Sequence, residues 1–225
     1  MREFLLANAP VIVWILTILE TILLILLFRH YLHHKQPIAF CMTLVCFGLV
    51  YDALIIATGA ILPEGLFFVL SQIRFISHGI LVPLNLLICA YALRWDGLKM
   101  KIMYGITGII SLLGLAAGIV KKLEIVDFAG IIRCKSSSLS PAWSEGINSL
   151  ISYGTVFPLI IFGIIVWIKQ KTPFLFLSGL LMFVFSALAP ATGNFDLIFL
   201  ISMFGECFMV LFFLLYAQKY SKAKT

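Results

Sequence analysis

Seven apolar runs, each close to or above the length of a bilayer crossing, leave this chain little choice of architecture. They lie near 8–29, 36–62, 66–93, 101–120, 146–168, 173–191 and 196–218. A helix rises 1.5 Å per residue, so about 20 apolar residues cross a hydrocarbon core of roughly 30 Å. Proline or glycine marks most junctions: Pro37, Pro63 with Gly65, Gly97, Gly146, Pro173, and Pro190 with Gly193. The chain is 62% hydrophobic and only 12% charged, with a mean hydropathy of +1.12, so a soluble domain of this size would lack polar surface. The fold class expected is all-α: a polytopic membrane protein, a seven-transmembrane-helix bundle forming one domain over 1–225. The apolar run from Ala9 to Phe28 is too long for a signal-peptide core and reads as the first span.

The excess of Lys and Arg, a net charge of +6, is a topology signal and not a nucleic-acid signal. Arg29 and Lys35, then Arg94, Lys99 and Lys101, then Lys169 and Lys171, then Lys219, Lys222 and Lys224 fall on alternate junctions. The intervening short junctions, Leu62–Gly65 and Ala191–Asp196, carry acids and no base. The N-terminus is therefore expected outside and the C-terminus in the cytoplasm, in a multi-pass protein of the plasma membrane. The long loop over 121–145, with Lys121, Lys122, Arg133 and Lys135, is external on this count and discordant in charge. Cys134 lies in that loop, whereas Cys41, Cys46, Cys89 and Cys207 lie in apolar runs, so no external disulfide pair is available.

The stretch from Tyr51 to Asn85 carries the candidate site. It reads as two helices about the turn Leu62-Pro63-Glu64-Gly65, with Asp52 on the first and Arg74 and His78 on the second. Counted from that turn, Asp52 and Arg74 both sit roughly 14–15 Å deep, near the middle of a bilayer. Charges there are expensive and are kept for a reason. Ser71, Arg74, His78 and Asn85 fall on one face of their helix, with Leu81 completing the seam. Lipid satisfies none of these groups, so that face must look into the bundle or a wet cavity. Glu20, between Thr17 and Thr21, and Glu206, one turn after Ser202, recur at similar depth. The fifth run adds Asn148, Ser152 and Thr155, and the sixth adds Ser178 and Ser186.

Three carboxylates (Glu20, Asp52, Glu206) thus face one permanent cation, Arg74, whose natural partner is Asp52. A site with spare acids and one imidazole is suited to proton exchange. The structural alternative is a buried pair that only fixes helix register. Gly114-x-x-x-Gly118 in the fourth run marks close helix approach, read as packing within the chain.

Several chemistries find no support. His30, His33 and His34 lie beside Arg29 and Lys35 with no Cys or acid near them, which suits a headgroup interface more than a metal site. The seven-helix, N-out plan resembles that of rhodopsins, but Lys219 stands at the end of the last run, where it would not form a retinal Schiff base. The zinc-dependent seven-helix hydrolases use several intramembrane histidines, and here His78 stands alone. Ser71 is two turns from His78 and Ser77 points elsewhere, so neither is a good nucleophile. No cofactor and no metal is expected.

The binding residues expected are Asp52, Arg74, His78, Glu20, Glu206, Ser71 and Asn85. The function expected is proton-linked transport or permeation of a small polar or anionic solute or ion. One alternative is an intramembrane enzyme acting on a lipid or isoprenoid. The other is a seven-helix receptor or sensor that needs a cytoplasmic partner. The partners expected are membrane lipids and the solute itself.

Overall fold

The computed structural model describes residues 2–193 and 197–222. Asp196, at the start of the seventh run, and Lys224 in the tail lie outside the described residues. A short helix α1 (Arg2–Ala7) precedes α2 (Ala9–His34), α3 (Pro37–Thr58), α4 (Glu64–Leu81), α5 (Leu84–Ala92) and α6 (Gly97–Val120). A hairpin of β1 (Leu123–Phe128) and β2 (Ile131–Ser136) follows, then α7 (Ala142–Gln170), α8 (Phe174–Ala191) and α9 (Ile198–Lys222).

Local sequence explains most boundaries. Pro37 opens α3, where its missing N–H costs nothing. Lys35 and Lys171 adopt left-handed backbone, φ 49° and 54°, and end α2 and α7 by donating their N–H to the carbonyls of Tyr31 and Trp167. The third run is not one helix. α4 stops at Leu81 and α5 resumes at Leu84, because Pro83 has no N–H to continue the ladder. Pro158, by contrast, lies inside an uninterrupted α7. The first helix runs on to His34, well past the expected end near 29.

Among the described residues, six stretches are long and apolar enough to cross a membrane: Ala9–His34, Pro37–Thr58, Glu64–Ala92, Gly97–Val120, Ala142–Gln170 and Ile198–Ser221. A shorter apolar stretch, Phe174–Leu188, occupies α8. The protein is a polytopic helical membrane protein. Sequence neighbours pack as spatial neighbours, and α9 returns against α2, so the helices close a ring.

The 121–145 segment corrects the expectation of a long loop: residues 123–136 form a two-residue-turn hairpin in an otherwise helical protein. Ala129 and Gly130 take positive φ, 52° and 80°, as a tight hairpin turn between right-twisted strands requires. Asp127 Oδ1 accepts the Gly130 N–H at 3.0 Å, and Glu124 pairs with Lys135 across the strands at 2.9 Å. Nor does the hairpin stand clear of the bundle. β2 packs on α3, with Ile131 and Cys134 buried between helices. Its Ile132 carbonyl lies so close to Gly59 that a side chain there would collide.

The close approach expected of the fourth run joins α6 to α4. Gly114 meets Gly79 backbone to backbone, and a Cβ at Gly118 would lie 2.8 Å from the Ile76 Cα. Leucine at position 114 would have to displace backbone. Gly114→Leu is expected to lower the thermal midpoint of the detergent-solubilised protein, at a cost of about 1–3 kcal/mol or loss of folding. Gly105→Ala, with open space around it, is expected to leave the midpoint unchanged.

Candidate functional site

α3 and α4 set Asp52 and Arg74 face to face. Arg74 Nε lies 2.7 Å from Asp52 Oδ1, with the two side chains 7% and 19% exposed. Arg74 Nη2 donates to the Cys134 carbonyl of β2 at 3.3 Å, so one guanidinium ties α3, α4 and the hairpin together. Nearby, the Tyr51 hydroxyl donates to the Leu70 carbonyl at 3.0 Å, a second link between the two helices. Arg74 Nη1 is buried with no hydrogen-bond partner.

Two further cations converge here, and both come from the segment read as an external loop. Lys121, just beyond α6, is buried and pairs with Glu145 of α7 at 3.3 Å. Burial pushes its ammonium below the usual value, while the Glu145 carboxylate opposes that shift. Arg133 of β2 lies with its guanidinium carbon 4.0 Å from the centre of the Phe199 ring, a cation–π contact. Burial, aided by the Arg74 charge and opposed by Asp52, brings it down to about 10. Lys121 and Arg133 thus join the expected set of three acids and one cation, and Glu145 joins it with them.

Two cavities open beside this cluster. One, of about 230 Å³, is lined by Asp52, Arg74, Lys121, Asn148, His78 and Ser152, among others. The second, of about 330 Å³, has His78, Asn85, Ser152, Ser186, Ser202 and Glu206 in a wall otherwise built largely of apolar side chains such as Met182, Phe183 and Met209. His78 and Ser152 belong to both, so they form the partition between an ionic chamber and a mainly apolar one.

Of the seven candidate residues, Asp52, Arg74 and His78 share the first chamber, and His78, Asn85 and Glu206 share the second. Asn85 is fully buried with neither amide atom bonded, and Glu206 Oε2 is likewise buried and unpartnered. Glu20 and Ser71 are fully buried but line neither chamber, and their side-chain oxygens have no hydrogen-bond partner. Glu20 remains within electrostatic range of both Asp52 and Glu206. The expected α7 stripe divides. Asn148 and Ser152 face the chambers, while the Thr155 hydroxyl donates to the Ile151 carbonyl at 2.7 Å. His30 bonds Ser221 at 2.8 Å, across the ends of α2 and α9.

Lys121 and Arg133 are the site residues that sequence reasoning missed. A signal was present: two six-residue strands separated by only Ala129 and Gly130. No protein-family model and no curated protein matches the chain.

The ion pair and the hairpin make separate predictions. Asp52→Asn strands a buried guanidinium and is expected to destabilise the detergent-solubilised protein by about 3–5 kcal/mol. Adding Arg74→Gln should recover part of that loss, read as the thermal midpoint. Cys134 is fully buried. In a background whose other four cysteines are alanine, it is expected to resist maleimide. Arg74→Lys keeps the charge but loses the bond to the Cys134 carbonyl, and should raise the labelling rate about fivefold or more.

Proposed function

We propose that this protein carries a small anionic solute across the membrane, with proton exchange coupled to its passage. The observation that carries the reading is the pair of adjoining chambers. Among the described residues, the first offers the buried, unpartnered Nη1 of Arg74 together with Lys121, against Asp52 as the one acid in its wall. An arginine with a free donor beside a second cation suits an anion, which would compete with Asp52 for the guanidinium. The second chamber continues past His78 to Glu206, a carboxyl group with no Lys or Arg beside it in that lining among the described residues. An ionisable group so placed in a membrane interior is suited to carrying a proton. The imidazole on the partition touches both spaces and is the natural relay between them.

A seven-span bundle with its N-terminus outside fits this scheme. The hairpin would then cover the outer end of the path, held down by the Arg74 bond to Cys134. An anion that draws Arg74 away would weaken that bond, so occupancy and opening would be linked.

One observation favours a second reading, an intramembrane enzyme acting on a lipid or isoprenoid. The larger chamber is mainly apolar, and Tyr153 in its wall is 60% exposed on the flank of the bundle. A hydrocarbon chain entering sideways would suit that lining.

Proteoliposomes loaded with candidate small anions and given a pH gradient separate the two readings. Transport predicts uptake that follows the proton gradient, falls at least about tenfold in Arg74→Ala, and loses its pH dependence in Glu206→Gln. Uptake unaffected by Arg74→Ala and Asp52→Asn would reject the mechanism. A lipid chain retained in the larger chamber through purification would favour the enzyme.

A further inference from the structure

A third cavity, of about 340 Å³, lies at the end of the bundle away from the hairpin. Three cations from three different junctions reach it: Arg94 after α5, Lys169 in the last turn of α7, and Lys219 near the end of α9. No carboxylate lines it among the described residues. Its volume lies within the roughly 300–1,000 Å³ typical of small-ligand sites.

The floor is built, not incidental. Tyr216, fully buried, donates its hydroxyl to Gln170 Oε1 at 2.9 Å, and Gln170 Nε2 donates in turn to the Ala92 carbonyl at 2.7 Å. That chain of bonds fixes α5, α7 and α9 around the opening. Thr172, in the α7–α8 junction, also lines the cavity. It is only 2% exposed, and its Oγ1 has no hydrogen-bond partner among the described residues. A hydroxyl removed from water and left unbonded costs free energy unless something in the cavity meets it. The three exposed cationic side chains around it have, among the described residues, no acid in the lining to neutralise them.

We propose that this cavity binds a phosphate group, with the Thr172 hydroxyl donating to one phosphate oxygen and Arg94, Lys169 and Lys219 closing over the others. Phosphate fits the donor set. It accepts a bidentate guanidinium, point-charge ammonium groups and a hydroxyl at once. The cavity's position at the end of the helices places it where a phospholipid headgroup sits, and also where a soluble phosphate would arrive. Either source presents the same chemistry. The site is separate from the Asp52–Arg74 chamber and does not depend on the transport reading.

The test uses the full chain purified in detergent, with two variants. One combines Arg94→Gln, Lys169→Gln and Lys219→Gln. The other is Thr172→Val, which keeps the shape and removes the hydroxyl. Calorimetric titration with inorganic phosphate is the first arm. Native mass spectrometry after reconstitution in phosphatidylcholine, with or without phosphatidic acid, is the second. Saturable phosphate binding that weakens about tenfold in each variant, at unchanged thermal midpoint, supports the site and assigns a soluble source. Phosphatidic acid retained by the wild type and lost by both variants supports it with a lipid headgroup as source. If neither ligand distinguishes the wild type from the variants, the proposal is overturned.

Discussion

A guanidinium placed between apolar helices must find a counter-charge, and the arrangement about Arg74 follows from that constraint. Hydrocarbon offers it no acceptors. Asp52 supplies the charge from α3, and the Cys134 carbonyl supplies a further acceptor from β2. Two helices and a hairpin are therefore held in one relative position. A pair of leucines would pack the same helices without specifying which rotation of each faces the other. The register role and a working role are compatible, because the bond to Cys134 uses Nη2 and the pair with Asp52 uses Nε, while Nη1 has no partner.

The hairpin changes what the charges mean. Taken as a loop, Lys121 and Arg133 are ordinary solvated residues with a confusing vote on topology. Folded back, they share a small volume with Arg74, Asp52 and Glu145, and their own burial lowers their affinity for protons. The cationic character of that chamber comes from Arg74 on α4 and Lys121 just beyond α6. The apolar character of the adjoining chamber has a different origin, the large side chains of α8 and α9. Glu206 and Asn85 stand in it as isolated polar groups. Two environments meeting at one imidazole is the feature that separates this bundle from a simple packed core.

Opposite ends of the molecule are built on different physics. At the hairpin end, Asp52 pairs with Arg74 and Glu145 with Lys121. At the other end, Arg94, Lys169 and Lys219 remain exposed on flexible stems around a rigid floor of Gln170 and Tyr216. Between them, α4 and α6 approach through glycine at 79 and 114, where backbones touch without side chains. That crossing brings the Arg74 face of α4 and the Lys121 end of α6 to one place.

The sequence by itself determined the membrane class and which residues were out of place in it. Runs of apolar residues are legible because burial in lipid acts on each residue in turn, with no need for distant partners. Asp52, Arg74, His78, Glu20, Glu206, Ser71 and Asn85 were conspicuous for the same reason, although the break at Pro83 puts Asn85 on α5 and the others of its expected face on α4. Only the tertiary structure decided which of them meet. Glu20 and Ser71 satisfy every sequence criterion yet line no chamber, because depth and helical phase do not say where a neighbouring helix is rotated. Lys121 and Arg133 were passed over for the converse reason: charges between spans look solvated until the segment around them is folded. The break at Pro83 could be read from one residue, since a missing N–H is a local fact. The cavities could not, because empty space between α7, α8 and α9 exists only once side chains from all three have been placed.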